Sequence, residues 1–357
     1  MKITILSDSH LKNKKQTPER FEAIESVISY CNQKKIYHIF FAGDTFDDNL
    51  ENYSDFDDLA NRFKNLNFWL LRGNHDDNLS QHNFLANNIR VIEHPTLETI
   101  YNKEFFLIPY AAKKYAADFI QILIQNFSPI SENKILISHC DYISIKSDIN
   151  EYEQSVYMPL FRKDIEFFDK VFLGHIHKSQ IIDNKVYYCG SSYPIASDEL
   201  GERYFLVFDC EFDKVDKIPI LTKEIFFSAN IVLNPLQNIE EILKQTYAIL
   251  PSEISARTSK QSVILNAFLY GLTLNKKEAC QEIEKFFNLK KIKVNIDVKN
   301  LKIIDHNNIN QFEEFFTIVD ECKKKLDSLN LSSRLRISDK DKIFAKVIEA
   351  IGEVIKT

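Results

Sequence analysis

Short apolar runs recur along the first half of the chain, and a small polar block follows each of five of them. The runs at 3–6, 36–42, 68–71, 135–137 and 171–173 are rich in Ile, Phe and Val. At that length and composition they read as buried strands. Between the first three runs the apolar spacing changes to that of a helix. Phe21, Ile24, Val27, Ile28 and Cys31 share one face, as do Phe56, Leu59, Phe63 and Leu66. Thr17-Pro18 supplies a cap and first-turn proline for the first of these helices. Strand–helix–strand alternation predicts an α/β fold of layered sheets flanked by helices, with its polar residues just past the strand ends.

Runs at 186–189 and 204–208 predict two further strands closing this domain, which is placed at residues 1–222. The pattern restarts near 218–227. Ile239, Ile242, Leu243 and Leu250 predict a helix, 263–270 a strand, and Ile283, Phe286 and Phe287 another helix. Ile292, Val294, Ile296 and Val298 alternate with Lys, Asn and Asp, which marks a strand with one wet face. This element order predicts a small α+β domain at 223–303. From 304 to 357 the chain reads as helical, with one stripe through Phe312, Phe315, Phe316, Val319, Cys322 and Leu326. A second stripe runs from Ile343 to Ile355 after a capping pair, Ser338 and Asp341.

Composition narrows the picture. Length (357 residues) allows two or three domains, and a net charge of −6 argues against nucleic-acid binding by charge alone. Six scattered cysteines without a Cys-x-x-Cys pair point to reduced thiols and a cytoplasmic setting. No run approaches the 18 or so apolar residues of a membrane span, and the apolar start is too short for a signal peptide.

The polar blocks carry the chemistry: Asp8-Ser9-His10, Gly43-Asp44, Gly73-Asn74-His75-Asp76, Ser138-His139 and Gly174-His175-Ile176-His177. The chain has seven glycines and nine histidines. Three of the glycines and five of the histidines fall in these blocks, so backbone freedom and ligand-type side chains coincide. Asp8 and His10, like His175 and His177, are one residue apart, so on extended backbone each pair points one way. Two carboxylates, an amide and several imidazoles suffice for a pair of divalent ions, and mixed O/N ligation suits manganese, iron or zinc better than calcium or magnesium. Two such ions about 3.5–4 Å apart stabilise the attacking and leaving oxygens of an in-line displacement at phosphorus. His75 adjoins a candidate ligand but is expected to point elsewhere, which makes it the candidate general acid, with Asp47 or Asp76 to orient it. Taken singly, each block is an ordinary turn or polar pair. His38, His82, His94 and His306 fit no block.

In order and spacing, these five blocks resemble the calcineurin-like metallophosphoesterase superfamily, whose pattern runs Asp-x-His, Gly-Asp-x-x-Asp, Gly-Asn-His-Asp/Glu, His, Gly-His-x-His. The resemblance implies one metal on Asp8, His10, Asp44 and His177, and another on Asp44, Asn74, His139 and His175. It gives His75 the role of transition-state histidine.

Within that superfamily the block Gly43-Asp44-Thr45-Phe46-Asp47-Asp48-Asn49 lacks the Arg and later Gly of protein Ser/Thr phosphatases. The layout is instead similar to SbcD-type DNA double-strand-break repair nucleases, including phage recombination endonuclease subunits. The similarity rests on Asp8-Ser9-His10-Leu11, on Gly43-Asp44-Thr45-Phe46-Asp47, on the segment from Tyr188 through Gly190-Ser191-Ser192 to Pro194, and on Glu199 and Arg203-Tyr204-Phe205. In that group the second domain caps DNA and the C-terminal segment binds an ATPase. The resemblance therefore implies manganese-dependent 3′→5′ exonuclease action on duplex ends and endonuclease action on single strands or hairpins, with magnesium, iron and zinc as alternative ions. It also implies a homodimer and an SMC-like (SbcC-type) ATPase partner bound through the C-terminal helices. Lys12, Lys14, Lys15 and Arg72 are candidates for DNA-backbone contact. The alternatives are a small-molecule phosphodiesterase or phosphatase on the same core, or a non-catalytic scaffold. The intact ligand set argues against a scaffold.

Overall fold

The computed structural model describes residues 1–303 apart from 49, 51, 128–132, 145–155, 234–236, 252–253 and 255–260, and only scattered positions beyond 303. The chain forms two compact units, Met1–Thr222 and Lys223–Thr357.

In the first unit, β1 (Lys2–Leu6), β2 (His38–Ala42), β3 (Asn67–Leu71) and β4 (Ile89–Ile92) are parallel neighbours. They are joined through helices α1 (Pro18–Lys34) and α2 (Ser54–Arg62). A second sheet is built on β5 (Thr96–Ile100), β6 (Lys103–Ile108), β7 (Lys134–His139), β10 (Lys170–Gly174), β11 (Gln180–Ile182) and β12 (Val186–Tyr188), with helix α3 (Ala116–Phe127) between β6 and β7. Two short strands, β8 (Tyr142–Ile143) and β9 (Leu160–Phe161), pair apart from it. The chain then returns to the first sheet through β13 (Arg203–Asp209), antiparallel to β1, and β14 (Lys214–Ile220). The orders are β14-β13-β1-β2-β3-β4 and β11-β12-β10-β7-β6-β5.

Strand periodicity sorts the apolar side chains into layers. Ile3, Ile5, Phe40 and Leu71 of the first sheet meet Phe105, Ile135, Ile137 and Phe172 of the second in one buried cluster. The alternate residues Leu6, Ile39, Phe41 and Leu70 face outward against Phe21, Ile24, Val27, Ile28 and Cys31 of α1 and Phe56 and Leu59 of α2. Phe106, Leu136, Val171 and Leu173 pack on Ile120 and Leu123 of α3. The result is a helix–sheet–sheet–helix sandwich, the α/β layering that the sequence predicts. Pro18 opens α1 and Thr17 takes the N-cap position as expected, but its hydroxyl makes no capping bond and accepts instead from the Lys12 amide at 3.1 Å.

The second unit holds β15 (Glu224–Leu233), a helix at Ile239–Ile249, β16 (Ser262–Thr273), a helix at Lys276–Asn288 and β17 (Ile292–Ile303). Asn238 and Asn275 cap the two helices with their side-chain oxygens. Both strand pairings are parallel, so the unit is a β–α–β–α–β arrangement with helical crossovers. That differs from the expected α+β unit, because alternation along a strand reports its wet face and not its direction. The helical stripes expected at 304–357 lie outside the described residues, apart from isolated positions.

Candidate metal centre

Parallel pairing puts the C-terminal ends of β1, β2 and β3 side by side, and likewise those of β7 and β10, where Gly174 pairs with His139. The two sets of ends meet. His139 Nδ1 lies 2.9 Å from the carbonyl oxygen of Ala42, bridging the sheets. The loop after β1 runs beside the loop after β2, with amides of Asp8, Ser9 and His10 donating to Gly43 and Asp44 carbonyls at 2.9–3.1 Å.

The backbone here is not extended. Asp8, His10, Asp44 and His175 have φ of 50°, 44°, 49° and 88°, in the left-handed region that side-chained residues seldom adopt. Convergence of Asp8 with His10 therefore comes from left-handed turns pinned by the facing loop, not from the strand-like geometry expected. Gly43 (φ 89°) sits against the His139 ring, where a Cβ would collide with it. A Cβ on Gly73 would overlap the Asp44 carboxylate.

All seven proposed ligands converge. Asp44 Oδ2 is 3.3 Å from His139 Nε2 and 3.8 Å from His10 Nε2. Asn74 Oδ1 faces His139 Nε2 at 2.9 Å and His175 Nδ1 at 3.1 Å. His177 Nε2 is 3.3 Å from His10 Nε2 and 3.9 Å from Asp8 Oδ1. Asp8, His10 and His177 form one set of ligand atoms within 4.8 Å of one another, and Asp8, Asp44 and His139 another. Asp8 and Asp44 are almost wholly buried, and no lysine or arginine ion pair reaches them among the described residues. Buried carboxylates need positive charge beside them. The donor set and its burial fit a pair of divalent cations.

The charges respond to one another. Burial raises Asp8 above the usual carboxylate range, and Asp44 nearby adds to this. Burial would raise Asp44 too, but the charge and hydrogen bond of His139 and the His75 amide outweigh it and hold Asp44 low. His139 resists its burial because Asp44 and Asp8 flank it, and it is raised to about 9. His10 and His175 are lowered to about 4, chiefly by burial.

His75 stands beside this cluster. Its amide donates to Asp44 Oδ1 at 2.9 Å, and its Nδ1 meets Asp48 Oδ2 at 2.9 Å. Of the two expected orienting residues, Asp47 keeps a carboxylate oxygen within 4.8 Å of a His75 ring nitrogen, and Asp76 lies in a separate set of bonds. Asp47 Oδ2 pairs with Lys12 at 3.4 Å and Arg20 at 3.6 Å. Asp76 is buried and accepts the amides of Thr45, Phe46 and Gly73 at 2.8, 3.2 and 2.5 Å, tying the Asp44 loop to the Asn74 loop. Asp48 carries no motif of its own in the sequence, although its place next to Asp47 in a strand-end loop is a signal. Asp141, two residues past His139, likewise carries no motif and lies 3.4 Å from His175 Nε2. Of the suggested DNA-contact residues, Lys12 pairs with Asp47, while Arg72 pairs with Glu93 at 2.7 Å and donates to the Leu79 carbonyl. His38 accepts from Trp69 Nε1 at 3.1 Å, away from the centre. His306 lies outside the described residues.

Residues 1–179 match the calcineurin-like phosphoesterase family model, which spans all five blocks. The chain belongs to that family, whose members are divalent-metal hydrolases of phosphoesters. Among solved structures it is similar to an archaeal phosphodiesterase, at 16% identity over 62% of this chain and 100% of that one, with a TM-score of 0.34. It is also similar to a Pseudomonas putida nuclease, at 14% identity over 51% of this chain and 65% of that one, with a TM-score of 0.27. No curated protein sequence matches. No described helix is long and apolar enough to cross a membrane.

Proposed function

We propose that this chain is a manganese-dependent DNA nuclease, cleaving phosphodiesters at duplex ends and in single strands or hairpins. The observation that carries the phosphodiester chemistry is the convergence of buried Asp8 and Asp44 with Asn74 and four histidines at the meeting of two sheets. Asp8, His10, Asp44 and His177 would hold one ion, and Asp44, Asn74, His139 and His175 the other. Bound there, the ions supply a nucleophilic water at neutral pH and charge for the pentavalent transition state.

The chain's own groups complete the reaction. His75 is the proton donor to the leaving 3′ or 5′ oxygen, with Asp48 on its far nitrogen holding the ring. Arg20 donates to the His10 carbonyl oxygen at 2.5 Å and so braces the loop that carries that ligand. DNA as substrate is supported by the SbcD-like sequence blocks and by a second folded unit beyond residue 222, where a minimal phosphodiesterase needs none. An SMC-like ATPase bound by residues 304–357, and a homodimer, complete the proposal.

Digestion of linear duplex and hairpin DNA with manganese, set beside an aryl phosphodiester, tests the assignment, with His75→Ala and Asp44→Ala as controls. Both substrates should be cut by the wild type and by neither variant. Cleavage of the small ester with DNA left intact, even with a cognate ATPase present, would return the chain to the small-molecule phosphodiesterases. Deleting residues 338–357 should abolish co-purification with the ATPase and spare ester hydrolysis.

A further inference from the structure

The segment after β12 frames the Asp8–His10–His177 side of the centre. The Ser191 amide donates to the His177 carbonyl oxygen at 3.0 Å, Ser191 bridges to Ser7, and Ser192 Oγ meets Ser9 Oγ at 3.0 Å. From the same segment Glu199 reaches back to His177, with Oε1 2.7 Å from Nδ1. Its other oxygen accepts from Ser191 Oγ at 2.6 Å and from Arg203 Nη1 at 3.2 Å. Arg203 is 5% exposed and holds the frame at three further points: the His177 carbonyl oxygen, Ser191 Oγ and the Leu200 carbonyl oxygen.

We propose that Glu199 is a positioning residue for His177, fixing its ring and tautomer so that Nε2 is presented to a cation held with Asp8 and His10. The proposal rests on reading the cluster as a metal centre. An imidazole whose Nδ1–H donates a hydrogen bond to a carboxylate keeps the Nε2 lone pair for a metal, and the carboxylate makes that nitrogen more basic. Glu199 can do this because its own position is fixed: a hydroxyl and a buried guanidinium hold the second oxygen while the first faces His177. Two of the other imidazole ligands are oriented differently. His139 uses the Ala42 carbonyl oxygen, and His175 has Asp141 at the longer distance of 3.4 Å. The His177 side is therefore the one whose affinity depends on a distant side chain bonded at short range.

Manganese titration of the metal-stripped full chain, followed by calorimetry, reads this directly. Wild type should bind two ions. Glu199→Ala should weaken one of the two by about 10–100-fold and leave the other in place, as loss of such an outer carboxylate does at comparable sites. Glu199→Gln keeps the side chain's size but has a single acceptor oxygen, which can serve His177 or the Ser191–Arg203 side and not both; it should keep the fold and show a several-fold loss at the same ion. Thermal melts in chelator report whether either variant is folded. If Glu199→Ala does not fold, the Gln variant decides. Folded variants that bind both ions with wild-type constants would overturn the role of Glu199 while leaving the metal centre standing. A wild-type chain that takes up no manganese would remove the centre and this proposal together.

Discussion

Asp48 Oδ2 lies 2.9 Å from His75 Nδ1, while Asp47, the next residue back and within 4.8 Å of the same ring, pairs with Lys12 and Arg20. The pair gives His75 a fixed ring orientation at the edge of a buried cluster. Replacing His75 with Ala should lower kcat on an aryl phosphodiester by about 100–10,000-fold, the range for a lost general acid, with two manganese ions still bound. Asp48→Ala should cost kcat by roughly one order of magnitude, because the acid remains but loses its orienting partner. Asp47→Ala removes partly exposed ion pairs, each worth about 0–1 kcal/mol, and should change kcat little. Equal losses in the two aspartate variants would contradict this assignment.

Gly73 has no room for a side chain, since an added Cβ would meet both the carboxylate and the backbone nitrogen of Asp44. Gly73→Ala should therefore displace Asp44 and weaken manganese binding at both ions, while a thermal melt in chelator still shows a cooperative transition. Unchanged binding of both ions would show that Asp44 is not shared between them.

Asp76 is a stability residue more than a catalytic one. Three backbone amides converge on its buried carboxyl, and burial followed by the charge of Asp44 raises it to about 7. Asp76→Ala would strand those amides at a cost of about 1–3 kcal/mol for each buried donor left unpaired. A chemical-denaturation midpoint close to wild type would argue against this linking role.

Stability of the metal-free protein should fall between pH 7 and 9. His139 is raised from 6.5 to about 9, so the folded chain holds a proton there that the unfolded chain has released. Its stabilisation is complete below 6.5 and is lost as pH rises through 9. His177, also raised, acts in the same direction. Melting temperature measured in chelator should decline across this window, and excess manganese should flatten the decline, because the ion takes the proton's place between Asp44 and Asp8. A melting temperature that climbs from pH 7 to 9 in chelator would contradict the charge arrangement.

Much of the first unit was legible because its strands are buried on both faces and read as unbroken apolar runs, and because α1 keeps a clean 3.6-residue stripe. The β5–β6 hairpin was not. Its turn is Tyr101-Asn102, both at positive φ (51° and 60°), and the Asn-Gly or Gly-Gly pair that normally marks such a turn is absent. Helix α3 buries only Ala116, Ile120 and Leu123 against the second sheet, too sparse a stripe to stand out. In the candidate site, ligand types could be read from spacing. The left-handed backbone at Asp8, His10, Asp44 and His175 could not, since it depends on loops from other strands pinning each turn. The bond from Glu199 to His177 spans 22 residues and two intervening strands, β11 and β12, and no local pattern announces it.

Asp44 is placed to serve two cations at once, facing both His10 and His139. Manganese titration of the metal-stripped chain, followed by electron paramagnetic resonance, measures both the number of ions and their magnetic coupling. Two ions per chain with a spin-coupled signal, and loss of the coupling in Asp44→Asn, is the result expected of a shared carboxylate between the His10 and His139 sides. A single ion, or two uncoupled ions unaffected by Asp44→Asn, would contradict it.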